Sequence, residues 1–464
     1  MLSRRVMLAA LATAAVICGA LAVRSAASSS GGGAWVTPRA PVFSLQRTPQ
    51  LLSRLVADVH LAAALDSALA DPSLGAATDQ GCVVVRDAGG RIVYAREPSR
   101  SFLPASNLKL VTAFAALDRI GASERYKTDV LASGVSGGVV TGDLWLVGGG
   151  DPLLATADYA VIGGYQMQLR LATPIEALAD KIVAAGVRQV QGRLMGDESR
   201  YDTQRYVPTW KPGYIASSEV GPASALTVNS GFAQWKPAPV AASAPATNAA
   251  STLASLLQAR GVVIGGVGEG TAPPGLRPVT SLESAPLKDM VAEMLQQSDN
   301  LAAELMLKEL GKRFGGGGTT AAGLSVVRTT LEKAGLPVGE LTAYDGSGLD
   351  RADRLTCGLL IGILQRAGDQ GPLVQALPLA GRDGTLAKRF LSSPVAGRLR
   401  AKTGSLEGVV ALSGWVDADE GVRLVFSMLI NGLPREAVGR SLEDRMGNAL
   451  VRYPQAPDAS SLAP

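Results

Sequence analysis

The chain has 464 residues, 47% of them hydrophobic and 18% charged, with a formal net charge of +4. This composition fits a globular protein of two or three domains, and its charges are spread without a Lys/Arg stripe, which excludes a nucleic-acid-binding footprint. One histidine, His60, three cysteines and no Cys-x-x-Cys or His-Glu-x-x-His pattern give no support to a metal site, and no cofactor is expected.

Arg4 and Arg5 precede an apolar run from Val6 to Val23, with Ala20-Leu21-Ala22 as a small-residue cleavage site. Residues 1–26 therefore read as an export signal, or as a membrane anchor, since 18 apolar residues just suffice to span a bilayer. Either reading puts the rest of the chain outside the cytoplasm. Cys18 follows Ile17, which is too bulky for the usual lipoprotein cleavage pattern. Residues 27–50, rich in Ser, Gly and Pro, read as a tether.

From Leu51 to Leu69 apolar residues recur at helical spacing, and Asp71-Pro72 ends the pattern. Two apolar runs, Cys82 to Val85 and Arg91 to Ala95, flank Asp87-Ala88-Gly89-Gly90 as a β-hairpin. Export permits a disulfide between Cys82 and Cys357, but each sits in an apolar run, and the reading adopted is two buried thiols. Leu103-Pro104-Ala105-Ser106-Asn107-Leu108-Lys109 then reads as a helix start, with proline in the first turn.

Nearly 190 residues separate Ser106-x-x-Lys109 from Ser298-Asp299-Asn300, far more than a loop can be. Residues 51–127 and 282–455 are expected to form one domain, with residues 128–281 inserted in it. The insertion has strand-like pieces at Thr141 to Val147, Gly192 to Gly196 and Val262 to Val267, and a helical piece from Pro174 to Ala185. Its Pro/Ala-rich patch, Lys236 to Ala250, reads as a flexible crossing. A helical pattern runs from Pro286 to Leu310, and Gly315 to Gly318 breaks it. A second hairpin, Val409 to Val416 and Val422 to Ile430, follows Lys402-Thr403-Gly404; residues 456–464 read as a flexible tail.

Each of the three short patterns is weak alone, but the ordered set arises by chance in on the order of one per cent of such chains. Read alone, Ser106 is a helix-capping serine and Lys109 a solvated lysine. Read together, an i, i+3 pair places a hydroxyl and an amine on one helix face, as a serine nucleophile without histidine requires. Lys109 must then be neutral part of the time, against a reference pKa of about 10.4, and burial together with a second ammonium, Lys402, would favour that form. Ser298-Asp299-Asn300 is either a cap between two helices or a proton relay through Ser298 with Asn300 holding a substrate carbonyl. Lys402, Thr403 and Ser405 on an edge strand are expected to hold a terminal carboxylate. Gly404 is expected to admit a ligand backbone, and the N–H groups of Ser106 and Ser405 to form an oxyanion hole.

With these motifs the chain resembles the D-alanyl-D-alanine carboxypeptidase/endopeptidase family, the class C low-molecular-mass penicillin-binding proteins, over roughly residues 52 to 452. Further matching stretches are Leu110 to Leu117, Gly142 to Pro152, Asp345-Gly346-Ser347-Gly348-Leu349 and Gly381-Arg382-Asp383-Gly384-Thr385-Leu386. The resemblance implies an α+β fold: a serine transpeptidase/β-lactamase-like domain, an antiparallel sheet flanked by helices, with a large insertion between the first and second motifs. It also implies a Ser106 acyl-enzyme, peptidoglycan stem peptides ending in D-Ala-D-Ala as substrates with their crosslinks as a second class, and covalent inhibition by β-lactams. One departure is Asp350, where the family usually has serine, read as an extra carboxylate at the site rim. Two other readings use the same residues: a β-lactamase or esterase, which needs a deacylating carboxylate on a short loop, and a catalytically silent wall-binding or penicillin-sensing protein.

Overall fold

The computed structural model describes residues 48–161 and 170–455. The apolar run at 6–23, most of the tether and the tail 456–464 lie outside the described residues; among those described, no helix is long and apolar enough to cross a membrane. Helix α1 (Thr48–Leu69) starts three residues before the apolar periodicity does, with Pro49 in its first turn.

Strands β1 (Gly81–Asp87) and β2 (Ile92–Arg96) form the first hairpin. The chain then enters helix α2 (Leu108–Arg119) through a single 3-10 turn, Ala105–Asn107, that holds Ser106. From here it leaves through β3 (Lys127–Ala132) into a second layered region made of β4 (Leu144–Val147), α3 (Ile175–Ala184), β5 (Leu194–Asp197), α4 (Pro245–Gln258) and β6 (Val267–Glu269). It returns along β7 (Arg277–Glu283). This sheet has the order β6-β5-β4-β3-β7, and the outgoing β3 and returning β7 pair antiparallel, so the excursion begins and ends at one place. Its own core is built from Leu144 and Leu146 of β4, Ile175 and Leu178 of α3, and Leu253 and Leu257 of α4.

Residues 236–250, expected from sequence as a flexible crossing, are in part a packed helix instead. Pro245 opens α4, and Ala246, Ala249 and Ala250 lie buried on the sheet, because alanine combines high helix propensity with the small volume that a close helix–sheet contact needs.

The chain resumes with α5 (Leu287–Gln297), α6 (Asn300–Phe314), α7 (Thr320–Lys333) and α8 (Cys357–Ala367). It closes with β8 (Leu399–Leu406), β9 (Val409–Asp417), β10 (Arg423–Asn431) and α9 (Glu436–Val451). The main sheet is antiparallel in the order β8-β9-β10-β1-β2, so the strand carrying Lys402 stands at its edge. Side chains alternate across it. Cys82, Val84, Val425 and Leu429 face the core shared by α2, α5, α6, α7 and α8, while Val83, Val85, Phe426 and Ile430 face α1 and α9.

Between β5 and α4 lies a long irregular stretch in which Tyr201, Val207, Trp210 and Val220 pack against Leu301 and Leu305 of α6 and against Leu349. This contact brings a segment from the excursion against the helix that carries Asn300.

Cys82 and Cys357 form a disulfide that ties β1 to the start of α8, with Cα atoms 5.9 Å apart. The expectation of two free buried thiols is thereby corrected. Apolar flanks report burial, and whether two buried cysteines meet depends on a strand–helix contact 275 residues apart, which no local pattern encodes. Closing so long a loop stabilises the fold by about 5.6 kcal/mol in the chain-entropy account. Proteolytic mapping without reductant should recover the two cysteines in one linked peptide, and Cys82→Ala/Cys357→Ala should melt several degrees lower; separate peptides and an unchanged melting curve would contradict the pairing.

Candidate active site

The turn before α2 is unusual in its backbone. Ala105 sits at φ +47°, a left-handed conformation that costs a non-glycine residue of order 1 kcal/mol, and Ser106 follows it directly. Two neighbours hold the turn in place. Gly348, at φ +84°, lies so near that a methyl group on it would stand 1.9 Å from the Ala105 carbonyl oxygen, and Asn107 Nδ2 donates to the Lys402 carbonyl at 3.2 Å.

One helical turn on, Lys109 is fully buried. Its Nζ stands 3.0 Å from Ser106 Oγ, 2.6 Å from Asn300 Oδ1 and 2.8 Å from the Ser347 carbonyl oxygen. Burial brings its pKa down to about 8, against the opposing pull of Asp345, Glu304, Asp299 and Glu219. Lys402 is also fully buried, with Nζ 2.9 Å from Ser298 Oγ and 2.8 Å from the Thr403 carbonyl oxygen. Its pKa lies well below the usual lysine range, first through burial and then through the charge of Lys109. The sequence suggests that Lys402 depresses Lys109; in the structure burial does most of that work, and the repulsion bears on Lys402.

Ser298-Asp299-Asn300 is a helix cap and a pair of cleft-facing groups at once. Ser298 closes α5 at φ +56°, and Asp299 caps α6 by accepting from the Ala302 N–H at 3.0 Å. Arg170 pins the break, donating to Asp299 Oδ2 at 2.8 Å and to Glu293 Oε1 at 3.3 Å. The kink aims Ser298 at Lys402 and Asn300 at Lys109, and Asn300 Nδ2 is fixed by donating to the Glu219 carbonyl at 2.7 Å.

Thr403 and Ser405 line a cleft of about 710 Å³ together with Ser106, Ser298 and Asn300. Their hydroxyls are engaged: Thr403 Oγ1 donates to Thr385 Oγ1 at 2.8 Å, and Ser405 Oγ to Glu436 Oε1 at 2.6 Å. Gly404 packs against the turn that carries Ser106. A methyl group there would meet the Pro104 carbonyl oxygen, Asn107 Nδ2 and Ala411 Cβ, each at 3.0 Å, so its missing side chain makes room for the turn that carries Ser106. Asp350 is a correction to the sequence reading: it is buried, accepting from Thr209 Oγ1 and from the Ala352 N–H, and is no rim carboxylate.

Among the residues with a place in this geometry but no role in the sequence reading are Thr385, Glu304, Asp345 and Arg170. Thr385 and Asp345 lie in stretches that match the family, which is the available signal. Glu304 and Arg170 carry none, because their partners are distant in sequence.

A buried amine beside a serine hydroxyl, with a second serine–lysine pair across the cleft, defines an active-site serine hydrolase of the penicillin-binding kind. The profile of the D-Ala-D-Ala carboxypeptidase 3 (S13) family matches residues 61–239 and 233–453, and the chain belongs to that family. It is 30% identical to a D-alanyl-D-alanine carboxypeptidase of Actinomadura sp. (strain R39), over 92% of this chain and 91% of the relative. It is 33% identical to the carboxypeptidase DacB of Mycolicibacterium smegmatis, over 80% of each. The crystal structure of penicillin binding protein 4 (dacB) from Haemophilus influenzae has the same fold, with a TM-score of 0.69 at 21% identity, covering 80% of this chain and 96% of that one.

Because Gly348 buttresses the turn before Ser106, Gly348→Ala should slow acylation of Ser106 by penicillin about 100-fold, the scale set by an ångström of misplacement. Gly339→Ala, in open space, should leave the rate unchanged. Equal acylation rates in the two variants would contradict the buttress.

Proposed function

We propose that Ser106 is the nucleophile and Lys109 its general base in an exported serine DD-peptidase that cleaves the D-Ala-D-Ala end of peptidoglycan stem peptides. The observation that carries this reading is the set of three oxygens around Lys109 Nζ. A neutral amine has two hydrogens and one lone pair. Asn300 Oδ1 and the Ser347 carbonyl can only accept, so they take both hydrogens and leave the lone pair for the Ser106 hydroxyl.

Acylation then follows with its protons accounted for. Lys109 takes the Ser106 proton as Oγ attacks the penultimate D-alanine carbonyl, and the oxyanion is held by the N–H groups of Ser106 and Ser405. The tetrahedral intermediate collapses as Ser298 gives its proton to the departing amine of the last D-alanine and is reprotonated by the Lys402 ammonium, whose Nζ lies 2.9 Å from its Oγ. Asn300, whose amide has one N–H remaining beyond its bond to Glu219, holds a substrate carbonyl. Lys402, Thr403 and Ser405 hold the terminal carboxylate, which is itself the counter-charge that favours the Lys402 ammonium. For this the Ser405 hydroxyl turns from Glu436 to the substrate. Water enters where D-alanine has left and attacks the ester, giving a proton through Ser298 to the now neutral Lys402, while Lys109 returns its proton to the departing Ser106 Oγ.

Peptidoglycan lies outside the cytoplasmic membrane, and the enzyme acts there; the Cys82–Cys357 disulfide suits such an oxidising compartment. Export by residues 1–26, cleaved or retained as an anchor, belongs to the same proposal. β-Lactams would acylate Ser106 as substrate mimics. In support, a second solved structure of the Haemophilus influenzae protein is described as complexed with a novel beta-lactam. Glu219 gives β-lactam hydrolysis a claim as the second reading, since it is an exposed carboxylate on the cleft wall beside Ser298 and Asn300.

The two readings differ in the fate of the acyl-enzyme. A penicillin keeps its leaving amine tethered and blocks the face by which water enters, so penicilloyl should remain on Ser106 far longer than one peptide turnover, while D-alanine is released over many turnovers. Ser106→Ala should abolish labelling with an unchanged melting curve, and Lys109→Ala should lose turnover with ligand binding largely kept. Rapid, repeated penicillin hydrolysis with no D-alanine release would overturn the peptidase reading in favour of the second.

A further inference from the structure

Beneath Lys109 the loop Asp345-Gly346-Ser347-Gly348 is held by buried groups on every side. Glu304 of α6 accepts from the Gly346 N–H at 3.0 Å, and Thr112 of α2 donates to the Gly346 carbonyl at 2.7 Å. Asp345 Oδ1 accepts from the N–H groups of Ser347 at 3.1 Å and Gly348 at 2.7 Å. Its Oδ2 accepts from the Asp350 N–H at 2.8 Å and from Trp210 Nε1 at 2.7 Å.

One peptide group in this loop does two things. The unit joining Ser347 to Gly348 donates its N–H to the Asp345 carboxylate and accepts from Lys109 Nζ at its carbonyl oxygen, 2.8 Å away. A carboxylate at one end and an ammonium at the other polarise an intervening amide in the same sense, so the two charges stabilise each other without touching. We propose that Asp345 is the counter-charge of Lys109, a positioning residue that acts across the Ser347–Gly348 peptide to stabilise the ammonium formed when Lys109 takes the Ser106 proton.

Other charges face Lys109: Glu304 and Asp299 from α6, Glu219 from the cleft wall and Lys402 from β8. Asp345 stands out among the buried carboxylates by its donors. It has four N–H groups on it, whereas Glu304 has one main-chain donor, the Gly346 N–H, so Asp345 is the more fully hydrogen-bonded of the two carboxylates. Burial and the Asp345 charge push the Glu304 carboxyl up, and the same two causes push Asp353 up to about 10. Trp210 belongs to the same irregular stretch as Lys211 and Tyr214 of the cleft wall, so the counter-charge also joins that wall to the base.

The proposal rests on the general-base reading of Lys109, and its test separates the two. The measurement is kcat/KM for D-alanine release against pH in the mature protein, as wild type, Asp345→Asn and Trp210→Phe. Removing the negative charge disfavours the Lys109 ammonium, so the acid limb of Asp345→Asn should move to lower pH by about one unit. Trp210→Phe takes one N–H from Asp345 and strengthens its effective charge, so the limb should move the other way by a smaller amount. A merely structural role would lower kcat/KM by one factor at every pH. If Asp345→Asn does not fold, Trp210→Phe decides alone. A limb present in the wild type and unmoved in the folded variants would overturn the role of Asp345. A wild-type profile flat between about pH 6 and 9 would overturn the general-base reading as well.

Discussion

Two lysine side chains, Lys109 and Lys402, are buried without exposure near enough for their charges to act on one another, and the rest of the site is arranged around that constraint. Removing an ammonium from water costs several kcal/mol, and a second one beside it adds repulsion. The fold meets this with oxygens: each Nζ has a serine hydroxyl and a main-chain carbonyl in reach, and Lys109 also has the Asn300 amide. Burial lowers the basicity of an amine so that it is neutral part of the time, while leaving it able to take a serine proton. The same burial makes the site depend on the packing of α2, α6 and β8, because a shift of any one would admit water to the amines.

Much of this is legible in the sequence. Ser106 and Lys109 share a helix face because their spacing is local, and the two hairpins are written in alternating apolar runs around Gly- and Asp-rich turns. The break at Ser298-Asp299-Asn300 also shows, as three polar residues within an apolar period. What stays hidden depends on contacts between distant segments. Cys82 meets Cys357 only because β1 lies under α8, Gly404 faces the Ser106 turn because the edge strand packs on it, and Asp350 is buried because Thr209 reaches it from the excursion. The Ala-rich α4 is missed for a local reason: Pro and Ala together look like linker composition, whereas proline at a helix start followed by alanines is a strong helix signal.

The excursion between β3 and β7 is more than a spacer. Its irregular stretch supplies Glu219 to orient Asn300, Trp210 to bond Asp345 and Thr209 to bond Asp350, so three groups from one segment reach the surroundings of Ser106 and Lys109. A motif triplet alone would leave Asn300 free to turn its amide over, which would present an N–H to Lys109 in place of the accepting oxygen. The hydrogen bonds that hold the three motifs in place thus come in part from residues outside them.

The central claim is that Lys109 is a buried amine poised to be neutral near working pH. The most direct measurement is an NMR titration of the purified protein carrying lysine labelled with carbon-13 at Cε, with the Lys109 signal assigned by its loss in Lys109→Arg. The account predicts a midpoint of about 8. A midpoint near the ordinary lysine value of about 10.4 would contradict it.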